Sequence, residues 1–342
     1  MPGVIRALLF SAVFFTGWAY ADPARDKAAA DQAWARGAEH LAQAETQVKQ
    51  LNEQLTQLLA QPTDQQLAQA RQSWHQAHLH WQEQNLLWKI AQVSPVRFAE
   101  LRHWLFQIDA LELQPGYLDS LPDYPFSGLV NDLAVPLTID SLRQQHGLTD
   151  LSEVALGFHA LELLLWGVEG SRPATDFALA TQLTAEQRKA GYALKELPNN
   201  RRRELLKLTG QILQQDLAEM HKQWKLKDSR LGRSYWRLKS AQRLPLMRRA
   251  AQAELLAIAE NMPTSFAQAE DFSTEDTRQL QLRALRHQLT QGEPSLISVL
   301  LAPEKMTGWI ERLDSASQQL LDEGTREAAI SNLKALAEEL NP

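Results

Sequence analysis

The sequence contains no cysteine, which excludes disulfide bonds, thiolate metal sites, cysteine catalysis and a lipid-modified cysteine. It also has no excess of basic residues. The 342 residues carry 35 Lys and Arg against 41 Asp and Glu, a net charge of −6. An acidic chain attracts polyanions poorly, so we expect no nucleic-acid partner.

Signals for β-strands and for several enzyme classes are missing as well. There is no sustained alternation of polar and apolar residues and no Asn-Gly or Asp-Gly hairpin turn. No HExxH sequence, phosphate-binding Gly-rich loop or Gly-x-Ser-x-Gly elbow is present. These absences favour an all-α protein and argue against the usual helical zinc-protease arrangement.

The first residues are typical of a secretory signal peptide. Arg6 precedes a mostly apolar run over residues 7–17, and Ala19-Tyr20-Ala21 has the small-x-small pattern of a cleavage site. The run is too short for a comfortable membrane span, and no later apolar stretch reaches about 18 residues. We expect residues 1–21 to be a cleaved signal peptide, with an uncleaved anchor as the alternative. Cleavage removes one Arg and no acidic residue, which changes the net charge to −7 and leaves a soluble periplasmic protein that is not a lipoprotein.

Helical periodicity dominates the remaining chain. Val48, Leu51, Leu55 and Leu58 step by three and four residues and therefore share a helix face. Further helices are predicted near 201–226, 240–261, 274–290 and 304–340. The sequence predicts an all-α fold of two packed helical bundles.

Capping residues and helix breakers mark where helices begin and end. Pro62 ends the first helix, and Thr63 with Gln66 has the spacing of a capping box for the next. Thr184 with Gln187 repeats that spacing, and Ser273 precedes an acidic first turn.

Two irregular stretches separate the predicted bundles. Residues 113–149 contain four prolines and three glycines, which predicts a long loop, and loops of that length are often functional. A second polar connection follows residue 170. We therefore predict an N-terminal bundle over 22–178, which contains the loop, and a C-terminal bundle over 179–342.

The most informative segment is 154–166, VALGFHALELLLW, in which only His159 and Glu162 are polar. A helix that is apolar on all sides is buried, and residues three apart project from one face. A carboxylate in such a place must be paired, hydrogen-bonded, metal-bound or protonated. Gly157 predicts a close approach of another backbone or a kink beside these residues. His159 and Glu162 are therefore candidate metal ligands, and a buried His–Glu hydrogen bond that only orders the core is the alternative.

Other polar residues have plainer interpretations. His80 and Glu83 repeat the spacing among Gln residues, which indicates a solvated face. His78 lies on the same inward-facing stripe as Trp74, Trp81, Asn85 and Trp88. His78 or Asn85 can therefore complete a metal site. The alternative is that His78 is a hydrogen-bonded histidine of the core. The run Arg201, Arg202 and Arg203 is interpreted as a solvated helix face.

Residues 157–162 (GFHALE), followed by LLLWG, resemble the GxHxxE signature of the imelysin family. The segments PGYLD at 115–119 and PFSG at 125–128 also resemble imelysin-like proteins. So do RLPL at 243–246 and the helix start that contains Ser273, Asp276 and Thr277. Where the family usually has an Arg and then an acidic residue in the first bundle, this chain has His78 and Asn85.

The resemblance implies a fold of two α-helical bundles with the GxHxxE region near their junction. It implies a cell-envelope protein, several relatives being iron-regulated, and a metal at His159 and Glu162. Iron is the expected ion and zinc the alternative, with His78 a further candidate ligand.

Three functions follow from these observations. The leading hypothesis is an exported protein that binds iron or another metal without catalysis, and no catalytic residue is assigned. The second is a cell-envelope metallopeptidase, with Glu162 as ligand or general base. The third is a protein that binds a cell-envelope partner through the tryptophan-rich bundle and the 113–149 loop and holds no metal.

Overall fold

The computed structural model describes residues 22–261 and 274–341. The predicted signal peptide, residues 1–21, lies outside these ranges, and so does Ser273. Within the described ranges the chain is helical and has no strand, only one isolated bridge between Leu121 and Tyr124. The predicted all-α fold is therefore confirmed. Among the described helices, none combines the length and the apolar composition needed to cross a membrane.

The α-helices follow one another along the chain without a repeat. The first eight are α1 (Pro23–Ala60), α2 (Asp64–Gln82), α3 (Asn85–Val93), α4 (Ala99–Asp109), α5 (Pro115–Leu118), α6 (Ile139–Gln145), α7 (Gly157–Trp166) and α8 (Ala185–Lys189). The remaining ones are α9 (Pro198–Lys225), α10 (Arg230–Trp236), α11 (Ser240–Ala259), α12 (Thr274–Thr290), α13 (Ile297–Leu300), α14 (Pro303–Gln319) and α15 (Arg326–Glu339).

The long helices pack into two groups that share one hydrophobic core. The first group consists of α1, α2, α4, α7 and α9, and the second of α3, α11, α12, α14 and α15, with α1 also contacting α11. Packing does not follow chain order, since α3 joins the later helices and α9 joins the earlier ones. The division into 22–178 and 179–342 stays a prediction.

Local capping signals define helix starts as expected. Helix α1 ends at Ala60, and the Thr63 side chain accepts a hydrogen bond from the backbone N–H of Gln66 at the start of α2. Thr184 and Gln187 form a reciprocal capping box at α8. Both satisfy backbone donors that a helix start leaves without an intrahelical partner.

Three predicted helices are interrupted. The segment predicted as a helix over 154–166 becomes helical only at Gly157, because Leu156 is extended. The stripe from Trp74 to Trp88 is divided between α2 and α3, so Asn85 starts a separate helix. The helix predicted for 304–340 is broken between α14 and α15 by a turn that contains Gly324. In each case the apolar periodicity of the sequence continues past the point where the helix begins or ends, so the periodicity does not reveal the boundary.

Arg201 and Arg202 hold the long loop in place, so the interpretation of this run as a solvated helix face is wrong. Arg201 is 7% exposed and donates to the carbonyls of residues 129, 130, 132 and 135. Arg202 is 6% exposed and binds both oxygens of Asp119, at 2.7 and 3.0 Å. Arg172 binds the same carboxylate at 2.8 Å. Loop carbonyls and a buried carboxylate thus satisfy cations that are costly to bury alone.

Candidate metal centre

Three metal-ligating side chains from three helices meet where α2, α4 and α7 pack together. The Asp109 Oδ1 atom lies 2.8 Å from His78 Nε2 and 3.1 Å from His159 Nε2. One ligand atom from each residue can be chosen so that all lie within 4.8 Å of one another. Among the described residues this is the one His, Cys, Asp or Glu group with that geometry.

A glycine brings α7 close enough to α4 to form the cluster. Gly157 has a φ of +85°, and a Cβ built there would lie 2.5 Å from the Ile108 carbonyl oxygen. A glycine lacks that atom and tolerates the left-handed conformation. The backbone that precedes Asp109 can therefore touch the start of α7, which places His159 beside Asp109. The close approach predicted at Gly157 is confirmed.

Hydrogen bonds orient both ends of the cluster. Glu162 Oε2 lies 2.8 Å from His159 Nδ1, on the side of the ring that faces away from Asp109. Trp81 Nε1 donates to the other Asp109 oxygen, Oδ2, at 2.8 Å. Trp74 Nε1 donates to the Phe158 carbonyl at 2.8 Å, which ties α2 to α7 next to the site. Contacts outside the cluster thus constrain the orientations of the His159 ring and of the Asp109 carboxylate.

The carboxylates favour a charged imidazole at this site. Burial opposes charge on His159, but hydrogen bonds to Asp109 and Glu162 outweigh it and raise the pKa of His159 to about 9. Burial also works against the Asp109 carboxylate, yet His78 and then His159 hold the pKa of Asp109 below its ordinary value. Asp109 and Glu162 therefore favour the charged form of His159 at neutral pH.

The cluster opens on a cavity of about 490 Å³ between the two helix groups. His159 and Asp109 reach its wall, and the Asp109 side chain keeps 22% of its surface exposed. Across the cavity, Glu254 is 2% exposed, and burial raises its pKa despite a hydrogen bond from Asn85 and the charge of Lys89. A small ion or ligand can therefore reach the cluster without passing through packed side chains.

The structure brings two of the three predicted site residues into the donor cluster and places the third behind it. His78 and His159 both face Asp109, whereas Glu162 contacts the opposite nitrogen of His159. Asn85 lies on the cavity wall rather than in the cluster. His80 lies 3.3 Å from Glu83, both part-exposed, as expected of a solvated pair.

Asp109 is not among the site residues that the sequence predicts. It is a single acid at the end of an amphipathic helix, followed by an irregular segment. The available signal was an acidic residue directly after Ile108 in the mostly apolar stretch LFQIDAL. That signal is weak, because the partners of Asp109 lie 31 and 50 residues away in the chain.

Comparison with known proteins supports the family resemblance. The imelysin family model matches residues 37–290. A crystal structure from Parabacteroides distasonis ATCC 8503, described as an iron-regulated protein A precursor, matches with a TM-score of 0.57 and 12% sequence identity. The match covers 92% of this chain and 94% of that chain, and at this identity it shows a common fold. A search of curated proteins finds no match. Because the family model spans more than half of the sequence, the chain belongs to the imelysin family.

Proposed function

We propose that this protein is exported to the periplasm and binds a metal ion, most naturally iron, at His78, Asp109 and His159. The observation that carries the proposal is the convergence of two imidazole Nε2 atoms on one carboxylate oxygen at the edge of a cavity. Glu162 takes a different role from the one expected: it orients His159 and is not itself a ligand.

The donor set suits the proposed ion. Two histidines and one carboxylate, with the remaining positions open, form the common triad of non-haem ferrous sites, and zinc accepts the same ligands. The contact of Glu162 with His159 Nδ1 is the usual outer contact of a metal-bound histidine. It fixes the tautomer that presents Nε2 to the ion.

Iron and export are supported by the relatives and by the first residues. The similar structure from Parabacteroides distasonis is described as iron-regulated, and the chain shares its fold. The pattern of residues 1–21 is that of a signal peptide, and no described helix is fit to cross a membrane. Binding is favoured over peptidase chemistry because Glu162, the base or ligand which that chemistry needs, is held by His159.

The experiment is an anaerobic calorimetric titration of the mature protein with ferrous iron, repeated with zinc. Wild type is expected to bind one ion at this site, and His78→Ala, Asp109→Asn and His159→Ala are each expected to weaken that binding at least a hundredfold. The matched control is His103→Ala, which removes an exposed imidazole that is not in the cluster. Binding that survives unchanged in all three variants would refute the proposal.

A further inference from the structure

Three of the nine histidines line a second cavity, which the metal centre does not use. This cavity has a volume of about 510 Å³ and lies between α1, α2 and α12. It receives His40 from α1, His80 from α2 and His287 from α12, and the Glu83 carboxylate lies beside His80 at 3.3 Å. Three imidazoles and one carboxylate from distant parts of the sequence thus line one cavity.

The His40 ring has a nitrogen that its surroundings leave unused. Its Nδ1 atom is buried and has no hydrogen-bond partner among the described residues. Burial, and then the charge of His287, lower the pKa of His40 against the opposing effect of Glu83. The ring is therefore neutral at pH 7 and keeps a lone pair, which is the form of histidine that binds metals. Because this Nδ1 atom is buried, an ion in the cavity binds it only after the His40 ring turns, and the bound ion then supplies the partner that the atom lacks.

The neighbouring cations are directed elsewhere. Arg283 also lines the cavity, but its guanidinium donates to Gln279 Oε1 at 2.9 Å. Arg36, the other cation near His40, points at the Gln288 carbonyl, 3.5 Å away. Gln288 in turn donates to the Glu83 carbonyl at 2.7 Å, which fixes α12 against the end of α2. Apart from glutamine amides, the polar side chains that remain on the cavity are the three imidazoles and the Glu83 carboxylate.

The two cavities share part of their walls. Gln82 and Gln281 line both of them, so an ion in the second cavity lies next to the route into the metal centre. We propose that the second cavity is a separate, weaker binding site for a divalent transition ion that prefers nitrogen ligands, such as Zn²⁺, held by His40, His80, His287 and Glu83.

The second site is weaker because it is less preorganised. Among the described residues, only the His78, Asp109 and His159 group has its donor atoms within 4.8 Å of one another. Closing the second site requires rotation of His40, His80 and His287, of which His40 and His80 are partly exposed and His287 is exposed. Ordering such side chains on binding reduces affinity.

The test is a calorimetric titration of the full mature protein with Zn²⁺, with Co²⁺ absorption as a second readout of ligand geometry. Wild type is expected to bind two ions of different affinity. His287→Ala, an exposed change that does not threaten folding, and His40→Gln are each expected to weaken the second ion at least tenfold and to leave the first unchanged. His103→Ala is expected to retain both.

The result separates this proposal from the first one. His159→Ala removes the tighter ion if the metal centre is correct, and it leaves the weaker one. A wild type that binds a single ion, with an affinity that His287→Ala and His40→Gln leave unchanged, overturns the second site. So does a weaker ion that persists in both His287→Ala and His40→Gln. If only the metal centre is wrong, His159→Ala leaves the number and affinity of bound ions unchanged, while His287→Ala still weakens the binding of one ion.

Discussion

Gly157→Ala is the substitution whose effect follows most directly from the structure. The new Cβ would lie 2.5 Å from the Ile108 carbonyl oxygen and 2.7 Å from its carbon, closer than such atoms approach. Ile108 is fully buried, so its backbone has no free direction in which to move. The left-handed conformation at Gly157 costs an L-residue roughly 1–2 kcal/mol. Relieving the overlap in a packed core costs about 1–3 kcal/mol more. We expect the free energy of unfolding to fall by about 2–5 kcal/mol.

Gly170→Ala is the matched control for this prediction. Gly170 has a φ of +75°, but a Cβ there meets nothing within 4 Å. It should lose only the conformational cost of roughly 1–2 kcal/mol. Urea unfolding of both variants measures the difference, and metal titration should show weaker binding in Gly157→Ala alone, because His159 is moved away from Asp109. Equal losses of stability in the two variants would refute the argument that the close contact with Ile108 requires glycine at position 157.

Three further predictions concern charge at the two carboxylate clusters. Glu162→Gln should weaken metal binding about 10–100-fold without changing the number of ions bound, since only the orientation of His159 is affected. Calorimetry measures both quantities, and an unchanged affinity would contradict the prediction. Metal affinity should rise by up to about tenfold per pH unit between pH 6 and pH 9, because the ion displaces the proton from His159, whose pKa is raised to about 9. An affinity that does not depend on pH would be inconsistent with this displacement. Asp119→Asn should lower the free energy of unfolding by about 3–5 kcal/mol at pH 7, because it leaves Arg202 buried without a carboxylate and Arg172 with Asp176 alone. The pKa of Asp119 is lowered in the folded wild type. The stabilisation by the Asp119 carboxylate is therefore complete above the unfolded pKa of about 3.9 and is lost as the pH falls through the folded pKa. If the stability of the wild type and of Asp119→Asn depended on pH in the same way, the prediction would be wrong.

Features that depend on neighbouring residues were predictable from the sequence. The helix start at Thr63 and the capping box at Thr184 are decided by side chains three positions away, and both are observed. The apolar segment around His159 predicted a buried helix, and α7 is fully buried. The start of α7 at Gly157 could not be predicted, because residues 154–156 are also apolar and buried although the backbone before Gly157 is extended.

Features that depend on distant partners were not predictable in the same way. The run of arginines at 201–203 has the composition of a solvated face. The burial of Arg201 and Arg202 is explained only by loop carbonyls and by Asp119, about 70–80 residues earlier. Asp109 has no local signal of its own, because its role is set by His78 and His159 across two helix contacts. The arrangement of Glu162 behind His159, rather than beside Asp109, depends on which ring nitrogen faces α4. Spacing in the sequence does not determine that orientation.

Iron K-edge X-ray absorption of the ferrous-loaded mature protein tests the central claim most directly, because it reports the atoms bound to the ion. We predict scattering from two imidazole rings and from oxygen ligands, with one imidazole lost in His78→Ala and one in His159→Ala. A spectrum without imidazole scattering, or one that neither substitution changes, would contradict the assignment of the site to His78, Asp109 and His159.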